Sequence, residues 1–438
     1  MGTVTGAQTT TDHRPIPRLS VAGLRPQNTG GPVHSSLARL IASGLADNRA
    51  DLVKATGLAR STVTRHLDTM IDAGVVVEGG TVTRPGRGRP PLRLALNPRA
   101  GVVAVADVGA HSARLALADL SQRLVAQEEV TLDVARGPEA TLDLLTERLR
   151  GMLAESAGAA SLGSASAGSA SVGADRLSAC VVGLPGPVDA RAGTPVRPPI
   201  MPGWDGFPVG RTLTERFGCR TFVDNDVNLM ALGEARALPE DEAPLLFIKI
   251  GTGIGGGLIS ASGELHRGAE GAAGDIGHLR VPGADDTVCG CGNIGCVEAV
   301  ASAAAMAARL AREDSGLAER DRPRGAADLA RLVRDGHPGA VRVVREGAVT
   351  IGEVVALLVH VYNPARIVIG GAIAAASDDV LARIRGVVYR RALPLATRRL
   401  SLTQSVLGMS AGVVGGTVVG VEHVLSPEGI GEVLARST

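Results

Sequence analysis

At 438 residues and a formal charge of +1, the chain is too long for one ordinary core and too nearly neutral to be basic throughout. Two or three domains are expected, and any nucleic-acid contact must come from a local patch. Hydrophobic content of 45% is ample for burial, but with seven aromatic residues the cores must be built from Ala, Val, Leu and Ile.

Residues 1–33 mix Thr, Gly, Pro, Gln and Arg without apolar periodicity and read as a disordered tail without a charged-then-apolar leader. From His34 the pattern changes. Leu37, Leu40 and Ile41 are spaced for a first helix, Asn48 to Thr56 makes a second that Gly57 ends, and Val63, Leu67, Met70 and Ile71 mark a third. Helix, short Gly-containing turn, helix is the geometry that lays one helix across the DNA backbone and the next into the major groove. Val75–Glu78, a Gly79-Gly80 turn, Thr81–Thr83 and Leu92–Leu96 then read as the strands of a wing, with Arg84, Arg87 and Arg89 on a Pro-rich loop. Residues 34–97 carry nine basic side chains against five acidic ones, which is the local patch that the whole-chain charge conceals. The DNA-contact candidates are Ser61, Thr62, Thr64 and Arg65 at the start of the third helix, with Arg87 and Arg89 for a minor groove. Ala59 stands where a Ser or Thr cap is expected before that helix.

From residue 98 the chain reads as α/β. Val102–Ala106, a turn over Asp107–Arg114 and Leu115–Leu117 form a strand, a tight turn and a returning strand, followed by a helix over 139–153. The Ala/Ser/Gly stretch 157–173 reads as an insertion without chemistry. Ser178–Leu184 is a further strand, and Phe222-Val223 ends another at Asp224-Asn225-Asp226-Val227-Asn228. A carboxylate and a carboxamide at a strand end facing a crevice suit a polyol. One lobe spans 98–243 and a second 244–438. The second opens with the strand Leu245–Ile250 and the glycines of Gly251–Gly257, which serve either a phosphate cradle or a hairpin. Residues 299–356 supply helices, and Arg366–Ile369 is a strand. The uncharged run Ser401–Val421 is long enough to raise the question of a membrane span, but its glycines, serines and Gln404 fit a close-packed buried segment, and no membrane is expected.

Cys289, Cys291 and Cys296 fall within one Gly-rich turn downstream of His278. Three thiolates and an imidazole make a complete tetrahedral set for a structural zinc, leaving no open position for catalysis. A redox pair of Cys289 and Cys291, or unrelated core thiols, are the competing readings. Ligand-like cysteines suit a reducing compartment, and a cytoplasmic location is expected.

The stretch CGCGNIGCVE, preceded by GAAGDIGH at 271–278, resembles the signature of the ROK family of bacterial sugar kinases and sugar-responsive repressors, and the likeness runs from about residue 34 to about residue 425. The resemblance implies a winged helix-turn-helix fused to a two-lobed, actin-like (ribonuclease H-like) domain, with zinc held by His278, Cys289, Cys291 and Cys296. It also implies a sugar held by Asn225, Asp226, Asp275, His278 and Glu298, with Asp226 as the base in the kinases. Two positions depart from the family: Asp275 replaces the usual Glu, and Ala110-His111 replace the Gly-Thr of the kinases' first phosphate turn. The expectation is therefore a sugar-responsive repressor binding palindromic DNA as a homodimer or homotetramer. The alternative is a sugar kinase that also binds DNA.

Overall fold

The structure, a computed structural model, describes residues 30–81, 92–161, 176–239, 242–314 and 322–436. The N-terminal unit comprises α1 (Gly30–Ala42), α2 (Arg49–Thr56), α3 (Arg60–Asp72) and the antiparallel pair β1 (Val76–Thr81) and β2 (Leu92–Leu96). Asn48 caps α2 by accepting from the amides of Ala50 and Asp51, and Gly57 ends it in the left-handed region at φ 68°. Ala59 makes no side-chain cap, as its methyl group dictates, and Val63, Leu67 and Met70 are fully buried on one face of α3. Two boundaries differ from expectation. Helix α1 begins at Gly30, inside the expected tail, because Val33 belongs to the core at 0% exposure. Gly79-Gly80 make no turn; β1 runs through them to Thr81 and takes up the irregularity as a register shift against β2.

The first lobe holds β3 (Val102–Val108), β4 (Ser112–Asp119), β5 (Leu124–Thr131), α4 (Pro138–Ser161), β6 (Leu177–Leu184), the two-residue strands β7 (Val188–Asp189) and β8 (Thr194–Pro195), α5 (Val209–Phe217), β9 (Arg220–Asn225) and α6 (Asp226–Ala237). Its main sheet has the order β5-β4-β3-β6-β9, antiparallel across the first three strands and parallel thereafter. Strand β5 was missed from sequence because it is an edge strand whose residues are mostly solvated, and α4 runs into the expected insertion as far as Ser161. The insertion's remaining residues, from 162, lie outside the described residues.

The second lobe repeats this plan with one strand fewer. It holds β10 (Leu245–Ile250), β11 (Ile254–Ile259), α7 (Val297–Ala301), α8 (Ala303–Glu313), α9 (Ala326–Arg334), α10 (Pro338–Tyr362), β12 (Arg366–Gly370), α11 (Ala372–Ala376), α12 (Asp378–Arg391), α13 (Pro394–Thr397) and β13 (Ser401–Gln404), after which α14 (Ala411–Val424) and α15 (Pro427–Arg436) return to the first lobe and the N-terminal unit. The sheet order is β11-β10-β12-β13, again an antiparallel hairpin followed by parallel strands. Among the described residues no single helix is long and apolar enough to cross a membrane. The uncharged run instead forms β13 and most of α14, which is buried between the first sheet and α6. Gly416 and Gly420 lie against Val105 and Val103, and Gly415 against the backbone of Leu229, so side chains at these positions would prevent the approach.

The N-terminal unit is docked on the far end of this same segment. Val33, Leu37 and Leu40 of α1 share one core with Val421 and Val424 of α14, Leu425 just after it, and Ile430 and Val433 of α15. The Ser35 hydroxyl donates to the Leu425 carbonyl, and Arg39 lies 3.9 Å from Glu422. Helix α14 therefore reaches from the first lobe's sheet to the helical unit at the N-terminus.

Candidate functional site

Three places carry the expected chemistry. On α3, Ser61 and Arg65 are exposed while Thr62 and Thr64 are half-buried, so the helix start is open to a partner. The Arg49 guanidinium is spoken for: it reaches Asp68 on α3 at 2.8 Å and Glu78 on β1 at 2.9 Å, tying helix to wing. Among the described residues the Arg65 guanidinium makes only a 3.4 Å approach to the His66 ring, and the other ring nitrogen of His66 lies 3.0 Å from His34 on α1. Burial and the neighbouring His66 hold His34 below the ordinary histidine value. Arg87 and Arg89 lie outside the described residues.

At the cysteine turn, His278 Nδ1 lies 3.6 Å from Cys289 Sγ and Cys291 Sγ lies 3.8 Å from Cys296 Sγ, and all four ligand atoms fall within 4.8 Å of one another. A tetrahedral ion with Zn–S of about 2.3 Å and Zn–N of about 2.0 Å would set S···S near 3.8 Å and S···N near 3.5 Å, so the donor set fits. A disulfide does not fit, since S–S requires about 2.05 Å. The turn is closed by the Cys289 amide donating to Asn293 O and the Gly292 amide to Cys289 O, with Gly292 and Gly295 at φ 91° and 78°. Only glycine enters that region cheaply.

In the cleft, Asn225 closes β9 and caps α6. Its Oδ1 accepts from the amides of Val227 and Asn228, and its Nδ2 donates to Gly186 O at 2.8 Å. The expected sugar contact thus uses its Oδ1 and one Nδ2 hydrogen to hold the β9–α6 corner to the Pro185–Asp189 turn. Asp226 is 2% exposed and paired with Lys249 of β10. Beside it, buried Asp224 accepts from Asn228 Nδ2 at 2.8 Å and from Arg267 at 2.6 and 3.0 Å. Two ion pairs therefore cross from the Asp224–Asp226 corner to the second lobe.

The second group of expected sugar contacts converges on the start of β11. Glu298 Oε2 accepts from the Ile254 amide at 3.0 Å and sits over Gly253 and Gly277, while Gly255 abuts Val227, the neighbour of Asp226. Asp275 is partly exposed, with Oδ1 3.8 Å from His278 Nε2, and makes no side-chain cap. His278 thus turns Nδ1 to the thiols and Nε2 toward Asp275. The glycine run resolves as a hairpin: Gly255, Gly256 and Gly257 belong to β11, and side chains there would strike Val227, the Gly274 carbonyl with Ile276, and Ala231. His111 is exposed on the β3–β4 turn.

Sequence reasoning passed over Lys249, Arg267 and Asp107. A lone lysine in the apolar strand LLFIKI was the available signal for the first. Asp107, near the end of β3, is 7% exposed, and its side chain makes no hydrogen bond among the described residues. Its carboxyl is pushed up to about 7 by burial and by the charge of Asp226, against the pull of Lys249 and Arg114. Burial alone would lower the Lys249 value, but the attraction of Asp226 and Asp107 outweighs it and holds the ammonium charged.

Two matching α/β lobes about a cleft, with a Cys3His cluster on one and a helix-turn-helix with a two-stranded wing docked behind, define a regulator-type member of the actin-like sugar-kinase class. The chain belongs to the ROK family, whose pattern matches residues 103–420. It is 29% identical over 387 residues to a putative xylose repressor of Caldicellulosiruptor sp. (strain Rt8B.4), covering 86% of this chain and 92% of that protein. It is also 36% identical over 245 residues to a glucokinase of Halalkalibacterium halodurans, but this covers 54% of the chain and 73% of the kinase. Among solved structures, a ROK family transcriptional regulator, a homologue of the E. coli MLC protein, superposes with a TM-score of 0.74 at 23% identity, covering 94% of this chain and all of that one. That likeness supports the fold.

Proposed function

We propose that this protein is a sugar-responsive DNA-binding transcriptional regulator, acting as a repressor in the cytoplasm, with a monosaccharide or its derivative as effector and a structural zinc at His278, Cys289, Cys291 and Cys296. The observation that carries the reading is the docked winged helix-turn-helix. Its α3 start is open, and the repressor match covers 86% of the chain and so reaches into this unit, whereas the kinase match covers 54%. Ser61, Thr62, Thr64 and Arg65 are the DNA contacts, joined by Arg87 and Arg89, which fall between β1 and β2 in the sequence.

Asp226, Asp275, His278 and Glu298 form the effector wall, and Asn225 fixes the corner from which Asp226 projects. Zinc bound at Nδ1 of His278 would fix that ring and the backbone leading to Glu298, so the metal braces sugar contacts rather than reacting with them. A homodimer or homotetramer suits a palindromic operator, and an apolar face is available for it: Leu357 and Val361 of α10 are 60% and 85% exposed, beside Leu393 and Leu395 at 65% and 78%. Selection of bound DNA from a random pool should return a palindrome with half-sites about one helical turn apart. The same preparation should show no ATP-dependent turnover of hexoses. Steady turnover, with no preferred DNA, would favour the kinase instead.

A further inference from the structure

Asp107 lies near the end of β3 and Asp226 follows β9, and the strand between them in the sheet, β6, carries a glycine where they face each other. A Cβ on Gly183 would stand 2.9 Å from Leu229 Cδ1, 3.3 Å from Asp226 Cα and 3.6 Å from Asp107 Oδ1, so the missing side chain lets Leu229 and the two aspartates close up around it. Both aspartates are nearly excluded from water, at 7% and 2% exposure. Two carboxylates in such a space repel each other unless a cation stands with them. The ammonium of Lys249 does so from the opposite lobe, paired directly with Asp226 and attracted by Asp107. Arg114 contributes from farther out; its guanidinium is engaged by Met409 O and Glu129.

We propose that Lys249 is the cleft's own cation: it occupies the place beside Asp226 and Asp107 that a divalent ion would otherwise take, so the cleft binds its ligand without metal. Two consequences follow from the charge. Asp226, held by an ammonium, is a poorer base toward a hydroxyl than a free carboxylate, because the ion pair stabilises its ionised form. A nucleotide triphosphate, which needs a divalent ion at its phosphates, has no place for that ion here. Lys249 is thereby the specificity-determining residue that separates binding from phosphoryl transfer, whatever the identity of the bound sugar.

The probe is Mn2+ alone, titrated into zinc-loaded full-length protein and followed by the paramagnetic resonance signal of free Mn2+. Wild-type protein should leave the signal unchanged. Lys249→Met, which keeps most of the unbranched stem without the charge, and Lys249→Ser should each take up one Mn2+ per chain, at least about tenfold more tightly than wild type. Adding Asp226→Asn should abolish that uptake. The idea is overturned by wild-type Mn2+ binding that Asp226→Asn removes, or by folded Lys249 variants that bind no Mn2+. If the variants lose their fold, restoration by Mn2+ supports the proposal, and failure of Mn2+ to restore it counts against it. No sugar enters the measurement, so its outcome is separate from that of the effector reading.

Discussion

Replacing Ile430 by Ala should loosen the helix-turn-helix from the sugar domain while leaving the cleft and the cysteine turn intact. Ile430 is 0% exposed on α15, in the core that α15 shares with Val33, Leu37 and Leu40 of α1. The change removes three buried carbons at about 0.8 kcal/mol each, and the cavity left behind brings the loss to about 3–4 kcal/mol. Little relaxation is available, because the Ser35 bond to Leu425 O and the Gly429 contact with the His423 and Val424 carbonyls hold α15 against its neighbours. Urea unfolding followed by circular dichroism should show a first transition at lower denaturant, assigned to residues 30–96 by limited proteolysis, with zinc content unchanged. Sugar response of DNA binding should weaken in the same variant, since the N-terminal unit is no longer fixed to α14. An Ile430→Ala protein that unfolds at the wild-type midpoint would refute the claim that this core holds the two parts together.

Arg65→Ala should weaken operator binding by about 1–3 kcal/mol with the fold unaffected, measured by fluorescence anisotropy. Arg49→Ala should show the reverse pattern, because its partners Asp68 and Glu78 are within the protein; a loss of about 1 kcal/mol in stability is expected for such partly exposed pairs. Cys291→Ser should reduce bound zinc well below one per chain by metal analysis, and undamaged wild-type protein free of zinc would exclude the metal site. Asp107 titrates near 7 folded against 3.8 unfolded, so the native state holds the extra proton between these values and stability falls as pH rises through that window. Asp107→Asn should remove that slope and be the more stable protein above pH 7, by on the order of a few kcal/mol, as read from unfolding midpoints between pH 5 and 8. A parallel slope in the variant would mean that another group titrates.

The helices of the N-terminal unit were legible because their signals are local: Asn48 caps, Gly57 terminates, and Val63, Leu67 and Met70 repeat at helical spacing. The cysteine turn was legible for the same reason, with its donors close in sequence. What escaped was set by tertiary packing. The glycines at 255–257 could serve a phosphate or a neighbouring helix, and only the position of α6 against β11 decides for the helix. Asn225 carries the right group for a sugar, yet the corner it must cap uses both ends of its carboxamide. Lys249 and Arg267 acquire meaning only when the second lobe meets the Asp224–Asp226 corner, a pairing of residues far apart in the chain. The docking of α1 on α15 joins residues nearly 400 positions apart and has no sequence signature at all.

Control of DNA binding by the cleft can be read in anisotropy titrations of a selected palindromic DNA with wild-type and Asp226→Ala protein across a panel of monosaccharides. One sugar should shift wild-type affinity by about tenfold, which needs only about 1.4 kcal/mol of differential binding. Asp226→Ala should bind the DNA and zinc as wild type does while ignoring that sugar. An Asp226→Ala protein that still responds in full would show that the sensor lies elsewhere.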